Sequence, residues 1–481
     1  MFAHPNSYQG LYSFFSSSMK SWLLVNLFFL LTLVVHAQAP SFRSYQKLQE
    51  YQGLYEYTNR TTLKLAASPK DSLLYALIAD GRYPLYPVGP DLFLNQSKDT
   101  VRFQRDTQKK IVSYSVKQQR FQRLNSTLTF PRQMWYPRLS PFTYRYNVPT
   151  QASDGLLVGS LQHSGLDSTL LATMVNKIAD GTYPNIHSIL IIKDGRLVFE
   201  EYFFDYTQDS LHQLRSATKS FISALTGIAI DKGLIKSVHE PVLPFFPEYT
   251  LQNQSELKQQ LTIEHLLTNQ SGLDCDITNE QSAGNEEKMD YSPDWVKFTL
   301  DLPMIDKPGG KGMYCSGNPI TAGRIIEKQA HMSLPDFARQ TLFDPLGITQ
   351  FNWHFQPDLT SAESYCQLYL RPRDMAKFGL LYLNKGQWQG KQIISQDWVT
   401  ASMAKHSVVQ NTNYGYLWWL KYLNAAGTRY DGVTAQGNGG QRIYIWPAQN
   451  MVTVITGGNF NQQSPSDGLM ATYILAAFNK K

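Results

Sequence analysis

The chain has 481 residues, 42% hydrophobic and 17% charged, with a formal charge of +6. That is an ordinary globular composition, long enough for roughly two to four domains at about 150 residues each. The charge is small for this length and no Lys/Arg run or basic helix occurs, which excludes a nucleic-acid footprint and any nucleic-acid partner. The ten histidines are scattered without paired ligand spacing, so neither a metal nor another cofactor is expected.

In chain order, residues 19–39, MKSWLLVNLFFLLTLVVHAQA, begin with a basic residue, run apolar from Trp22 to Val35 and reach small residues around Ala37. This is the pattern of a signal peptide, residues 1–37, with Met19 as a candidate true start. A membrane anchor is the alternative, but the run is short for a span and no cysteine follows to take a lipid. A periplasmic or secreted bacterial protein is expected, touching membrane only through this segment. The three cysteines, Cys275, Cys315 and Cys366, would then lie in oxidising surroundings, able to form one disulfide or to remain as buried thiols.

Residues 38–130 read as short β segments: LYEY, TTLKLAAS, LLYALIA, LFLN, TVRFQRD and KIVSYSVKQ. Turn signals at Ala79-Asp80-Gly81 and Val88-Gly89-Pro90 separate them, and no helical period persists, so a small antiparallel sheet or barrel is expected. The Pro- and Tyr-rich residues 131–154 read as a linker.

Residues 155–481 change character. A helix is predicted over Leu166–Asp180, then a hairpin Ser188–Ile192 with Leu197–Tyr202 around Asp194-Gly195. Thr218–Lys232 reads as a helix apolar nearly all round, stopped by Gly233, and such helices lie inside a protein. Further elements are a helix Pro319–Gln329, a hairpin Arg442–Trp446 with Met451–Thr456, and a helix Asp467–Phe478. Strands from both ends flanking a helical middle imply one α/β sandwich, an α+β fold closed by its own termini.

Three elements carry chemistry. In Ser216-Ala217-Thr218-Lys219 the i, i+3 spacing at a helix start sets an amine beside a hydroxyl, and a serine needs such a base to become a nucleophile. The positive helix start and burial both disfavour an ammonium there. The spacing alone has little specificity, since Ser-x-x-Lys also occurs at Ser17/Lys20, Ser44/Lys47, Ser255/Lys258 and Ser402/Lys405. Those copies fall in the leader, the β region or polar stretches that read as surface; only Ser216 opens an apolar helix. Second, Tyr314-Cys315-Ser316-Gly317-Asn318 offers a tyrosine able to shuttle a proton, with Ser316 placed to hold the lysine or the substrate. Third, Gly437-Asn438-Gly439-Gly440-Gln441 leads into a strand, and its glycines allow backbone to approach a ligand. Tyr414, Tyr416, Trp418 and Trp419, between the second and third elements, read as core or as pocket lining.

In this order the elements resemble the serine β-lactamase and penicillin-binding protein superfamily, specifically its class C-like branch with esterases and 6-aminohexanoate-dimer hydrolases. The phrases His265-Leu266-Leu267-Thr268, Ser271-Gly272-Leu273, Pro345-Leu346-Gly347 and Arg373-Asp374-Met375-Ala376 add to the likeness, with Asp374 read as a helix N-cap. The resemblance covers about residues 154–481. It implies a β-lactamase-like antiparallel sheet flanked by helices with an all-helical subdomain, Ser216 as nucleophile, Lys219 as its activator and Tyr314 as second proton carrier. It also implies an oxyanion hole from the N–H groups of Ser216 and Gln441, with Ser316, Asn438, Gly439 and Gly440 at the substrate. The same likeness brings Cys275 to the rim beside Cys315, which suggests that pair as a disulfide. Ser316 stands where class C β-lactamases have Asn, and Asn438-Gly439-Gly440 replaces Lys-Thr-Gly, removing a cation worth about 1.5–3 kcal/mol of carboxylate binding. The expected activity is therefore hydrolysis of small esters, amides or peptides through an acyl-enzyme. Weak β-lactamase or DD-peptidase action and a non-catalytic ligand-binding role are the alternatives. The β region resembles, loosely, lipocalin-like sheets attached to exported hydrolases.

Overall fold

The computed structural model describes residues 43–57, 62–355 and 366–478, all within one compact unit, Phe42–Lys481. The expected leader lies outside the described residues. Eight strands close into a barrel: β1 (Gly53–Glu56), β2 (Thr62–Ala67), β3 (Leu74–Ile78), β4 (Gly81–Gly89), β5 (Leu92–Leu94), β6 (Thr100–Arg105), β7 (Ile111–Val116) and β8 (Gln119–Leu124). β8 pairs back on β1 through Leu54↔Leu124 and Tyr55↔Arg123, so no strand edge is left free. Alternating burial along β2 and β6 turns every second side chain inward. There the rings of Tyr51, Tyr55, Phe93 and Phe103 meet edge to face at 4.8 to 6.1 Å, the arrangement their quadrupoles prefer.

Two of these strands escape the sequence pattern. β4 carries Pro84 and Pro87, residues that argue against a strand, and a register shift between Pro87 and Gly89 accommodates them. β8, QRFQRL, buries only Phe121 fully. The 131–154 connection is not slack. Met134 and Trp135 are buried, and the Tyr146 hydroxyl donates to the Val198 carbonyl at 2.8 Å while accepting from Leu161 N–H.

The rest is built on a nine-stranded sheet of β9 (Leu157–Val158), β10 (Ile186–Lys193), β11 (Arg196–Tyr202), β12 (Ser407–Val409), β13 (Thr412–Tyr414), β14 (Trp419–Ala425), β15 (Thr428–Gly437), β16 (Gln441–Trp446) and β17 (Met451–Gly457). Its order is β12-β13-β14-β15-β16-β17-β10-β11-β9. β17 pairs with β10 at Ile189↔Ile455, so the two hairpins read from opposite ends of this region share one sheet. α1 (Ser168–Ala179) and the C-terminal helical turns contribute to the apolar layer on one face, with Ile189, Ile191 and Ile455. α2 (Thr218–Asp231), α3 (Gly317–Ala330) and α4 (Pro372–Leu383) belong to the larger layer with Leu190, Ile192 and Val454. This is the mixed α+β fold expected.

α2 is buried from Thr218 to Ala229 and ends where Gly233 takes φ +72°, a left-handed conformation that costs glycine nothing. The C-terminal helix is shorter than its pattern suggests: an α-turn Ser466–Leu469 continues as a π-helix, Met470–Leu475. Asp374 is not an N-cap. It sits inside the first turn of α4, fully buried, accepting from Arg371 Nε at 2.7 Å and facing Lys377 Nζ at 3.0 Å.

The barrel joins the sheet through its β3–β4 turn. Asp80 accepts from Gln213 N–H at 2.8 Å and from the Tyr206 hydroxyl at 2.9 Å, and lies 3.5 Å from His212 Nδ1. His187, stacked 4.0 Å from Tyr206 and 2.9 Å from His212, completes a buried polar seam. Burial, then His212 and Arg82, hold the His187 imidazolium well below the usual range. Gln213 is three residues before Ser216, so this seam braces the segment leading into the site.

Candidate active site

Leu214 donates its N–H to the Leu368 carbonyl at 2.9 Å. Arg215 then takes φ +51°, an αL conformation costing about 1–2 kcal/mol for a residue with Cβ. That turn throws Ser216 out of the strand direction into a single 3₁₀ turn, Arg215–Ala217, from which α2 departs. Ser216 is half-buried and open on one side, whereas Lys219 is 8% exposed. Lys219 Nζ and Ser216 Oγ are 3.0 Å apart, inside hydrogen-bonding distance. The amine also lies 5.2 Å from the centre of the Tyr314 ring. The structure thus brings together the three side chains singled out in the sequence.

Tyr314 lies in the irregular segment before α3 and is held by its surroundings. Asn269, at φ +55°, accepts from Met313 N–H with its carbonyl, and its side-chain oxygen accepts from Cys315 N–H at 3.3 Å and Asn318 Nδ2 at 3.1 Å. Cys315 is bridged to Cys275, Cα to Cα 5.2 Å, and the Tyr314 carbonyl accepts from Ile277 N–H. Trp419 and Tyr414 pack on the Tyr314 ring at 5.4 and 6.5 Å. Trp418 instead belongs to the core with Phe378 and Tyr382, and Tyr416 stacks on His406. Ser316 does not hold the lysine. Its hydroxyl donates to Glu286 Oε1 at 2.8 Å, a contact across thirty residues of sequence.

The third element reaches the Ser216 turn by close backbone contact. A Cβ on Gly437 would lie 2.1 Å from the Leu214 carbonyl oxygen, so only glycine lets the end of β15 pack there. After it, Gly439 and Gly440 take φ +92° and +103° and turn the chain into Gln441. The Gln441 side chain is used internally: its Nε2 donates to the Gly457 carbonyl at 2.7 Å and its Oε1 accepts from Gly457 N–H. What Gln441 has left to offer is its backbone. Asn438 likewise turns outward, donating to Asn461 Oδ1 at 2.7 Å and accepting from Asn461 N–H at 2.9 Å.

The sequence reading passed over four residues. Asn269 and Asp80 position the two loops above. Glu286 faces Ser316, and Arg215 lies over the Phe460 ring at 4.9 Å with Asp290 nearby. Asn269 follows His265-Leu266-Leu267-Thr268, Asp80 lies in the turn Ala79-Asp80-Gly81 and Arg215 precedes Ser216, all beside phrases already noted, whereas Glu286 is joined to the site by the fold alone. Among the described residues no cluster of His, Cys, Asp and Glu could hold a metal ion.

The Beta-lactamase family model matches residues 187–478, and the chain belongs to that family, within the serine β-lactamase and penicillin-binding protein superfamily. It is similar to the 6-aminohexanoate-dimer hydrolase of Paenarthrobacter ureafaciens, at 24% identity over 56% of this chain and 71% of the relative. A putative D-alanyl-D-alanine carboxypeptidase of Salmonella agona is 26% identical over 44% of this chain and 53% of that protein. Among solved structures, a family VIII carboxylesterase has a TM-score of 0.52 at 16% identity, covering 69% of this chain and 99% of that one. A putative β-lactamase from Bacteroides dorei gives 0.51 at 19%, covering 63% and 97%. The protein is a hydrolase of the β-lactamase fold.

Proposed function

We propose that this hydrolase works through an acyl-enzyme on Ser216, with small esters or amides as substrates. The observation that carries the reading is the 3.0 Å contact between Lys219 Nζ and Ser216 Oγ on a turn that backbone strain holds open. Ser216 Oγ attacks the carbonyl carbon while its proton passes to Lys219 Nζ, acting as the base. The resulting oxyanion accepts from the N–H groups of Ser216 and Gln441, where preorganised donors contribute most. The tetrahedral species collapses, the bond to the alcohol or amine breaks, and Tyr314 relays to the departing group the proton that Lys219 took from Ser216, leaving both side chains as they began. Water repeats the sequence on the acyl ester, releasing the acid and restoring the Ser216 hydroxyl.

Asn438 carries no charge and is occupied by Asn461, so nothing at that position grips a carboxylate; this favours neutral esters and amides over β-lactams. The dimer hydrolase and carboxylesterase likenesses are in keeping with that preference. The leader-like residues 1–37 and the Cys275–Cys315 bridge support an exported, periplasmic or secreted enzyme. The test is turnover of p-nitrophenyl acetate, a D-peptide amide and nitrocefin by wild type and Ser216→Ala. Hydrolysis of the ester or amide that vanishes in the variant is expected; nitrocefin as the best substrate, or hydrolysis surviving in the variant, would overturn the reading.

A further inference from the structure

The barrel is filled at one end and hollow at the other. The edge-to-face rings of Tyr51, Phe93 and Phe103 plug the first. At the second a cavity of about 370 Å³ opens, walled by Leu63, Leu65, Leu85 and Val101. Eight strands give a lumen that side chains just fill or that takes one small ligand, and this volume falls within the range of ligand pockets. A barrel serving only as a brace gains by filling its mouth, because each apolar wall left open to water forgoes burial.

Two residues tie that mouth to the active site. Asn461, from the loop after β17, lines the cavity and is the double hydrogen-bond partner of Asn438, three residues before Gln441. Tyr83, on β4, lines it as well and interacts electrostatically with Arg215, the residue before Ser216. One end of the cavity is therefore bounded by direct partners of the Ser216 turn and of the loop leading into Gln441.

We propose that the barrel cavity is the binding site for an apolar chain of the substrate, so that the hydrolase acts on amphipathic esters or amides whose carbonyl lies at Ser216 while the chain enters between Asn461 and Tyr83. The inference rests on the proposed function for the identity of the ligand, and on the cavity alone for the binding. It also gives the barrel a reason to be fused here, since a tail held in the lumen presents its ester at a fixed distance from the nucleophile.

The test uses the full-length chain and two cavity-filling variants, Val101→Trp and the milder Leu85→Phe. Binding is read first, in a Ser216→Ala background, by fluorescence of N-phenyl-1-naphthylamine and its displacement by octanoate. Saturable 1:1 binding, displaced by octanoate but not by acetate and weakened about tenfold or more by either filling variant, is expected. Turnover is read second, with p-nitrophenyl octanoate for a chain on the acyl side and octyl acetate for one on the leaving group. The filling variants should lose about tenfold in kcat/KM on one of these while p-nitrophenyl acetate hydrolysis is unchanged, which also certifies a folded site. Absence of probe binding, or binding and chain-length preference indifferent to both variants, overturns the proposal. A wild type that binds the probe and octanoate but hydrolyses no ester overturns the serine-hydrolase reading and leaves the cavity standing.

Discussion

The chain contains the same four-residue spacing with a buried lysine in two places, and they do opposite things. Ser255 caps a short helix, its hydroxyl accepting from Lys258 N–H, and Lys258 is fully buried with its ammonium donating to the carbonyls of Gln252, Leu300 and Leu302 at 3.1, 2.8 and 2.7 Å. All three N–H bonds are spent on carbonyls, so this ammonium has no lone pair with which to take a proton. At Ser216 the cap is absent, and Lys219 shows one hydrogen bond, to the serine, with the Tyr314 ring alongside. Spacing supplies the pair in both places; the difference is whether the lysine is satisfied by backbone or faces a hydroxyl. The Ser255/Lys258 stretch lies on the surface as expected, with Glu256, Leu257, Gln259 and Gln260 exposed, but Lys258 itself turns inward and is a structural clamp.

This contrast can be broken by exchanging the lysines' fates. Lys219→Met should lower kcat/KM for ester hydrolysis about 10³-fold with little change in thermal midpoint, as loss of a general base does. Gly437→Ala should cost about 10²-fold in kcat, because the methyl must displace the Leu214 carbonyl and shift the Ser216 turn. Lys258→Met should leave kcat of the folded enzyme unaltered and cost about 3 kcal/mol in denaturant unfolding, since the buried carbonyls of Leu300 and Leu302 and the half-buried one of Gln252 lose their donor. If Lys258→Met instead abolished turnover with stability intact, the distinction between clamp and base would fail.

The smallest effect concerns the seam behind the site. His187 is neutral when folded because burial, His212 and Arg82 disfavour its imidazolium, whereas the unfolded chain protonates it near the usual histidine value, about 6.5. The unfolded state therefore binds the extra proton. Stability is full above about pH 6.5 and falls below it, by up to about 1.4 kcal/mol per pH unit for this group. Denaturant melts from pH 7.5 to 5 should show that fall in wild type and a shallower one in His187→Gln.

What the sequence made legible follows from range. Ser216-x-x-Lys219 lies within one helical turn, and the hairpins around Asp194-Gly195 and before Met451 are local, so their patterns survive without the fold. Tyr314 and Gly437–Gln441 were readable as phrases, though their convergence depends on Asn269 and on the approach of Gly437 to Leu214. Glu286 against Ser316, Asp80 beneath Gln213 and the Pro-bearing strand β4 were not readable. The first two are single contacts between distant segments, and the third is a strand that tertiary pairing imposes on residues with little intrinsic preference for it. Asp374 shows the converse failure: its local pattern suits a cap, yet the fold uses it as a buried partner for Arg371 and Lys377.

The central claim is that Ser216 is the nucleophile. The most direct measurement is intact-mass and peptide mapping of the folded protein after treatment with a fluorophosphonate, alongside Lys219→Met. A single stoichiometric adduct on the peptide containing Ser216, formed quickly in wild type and far more slowly in the variant, is the expected result. An adduct on another serine, or equal labelling with and without Lys219, would contradict it.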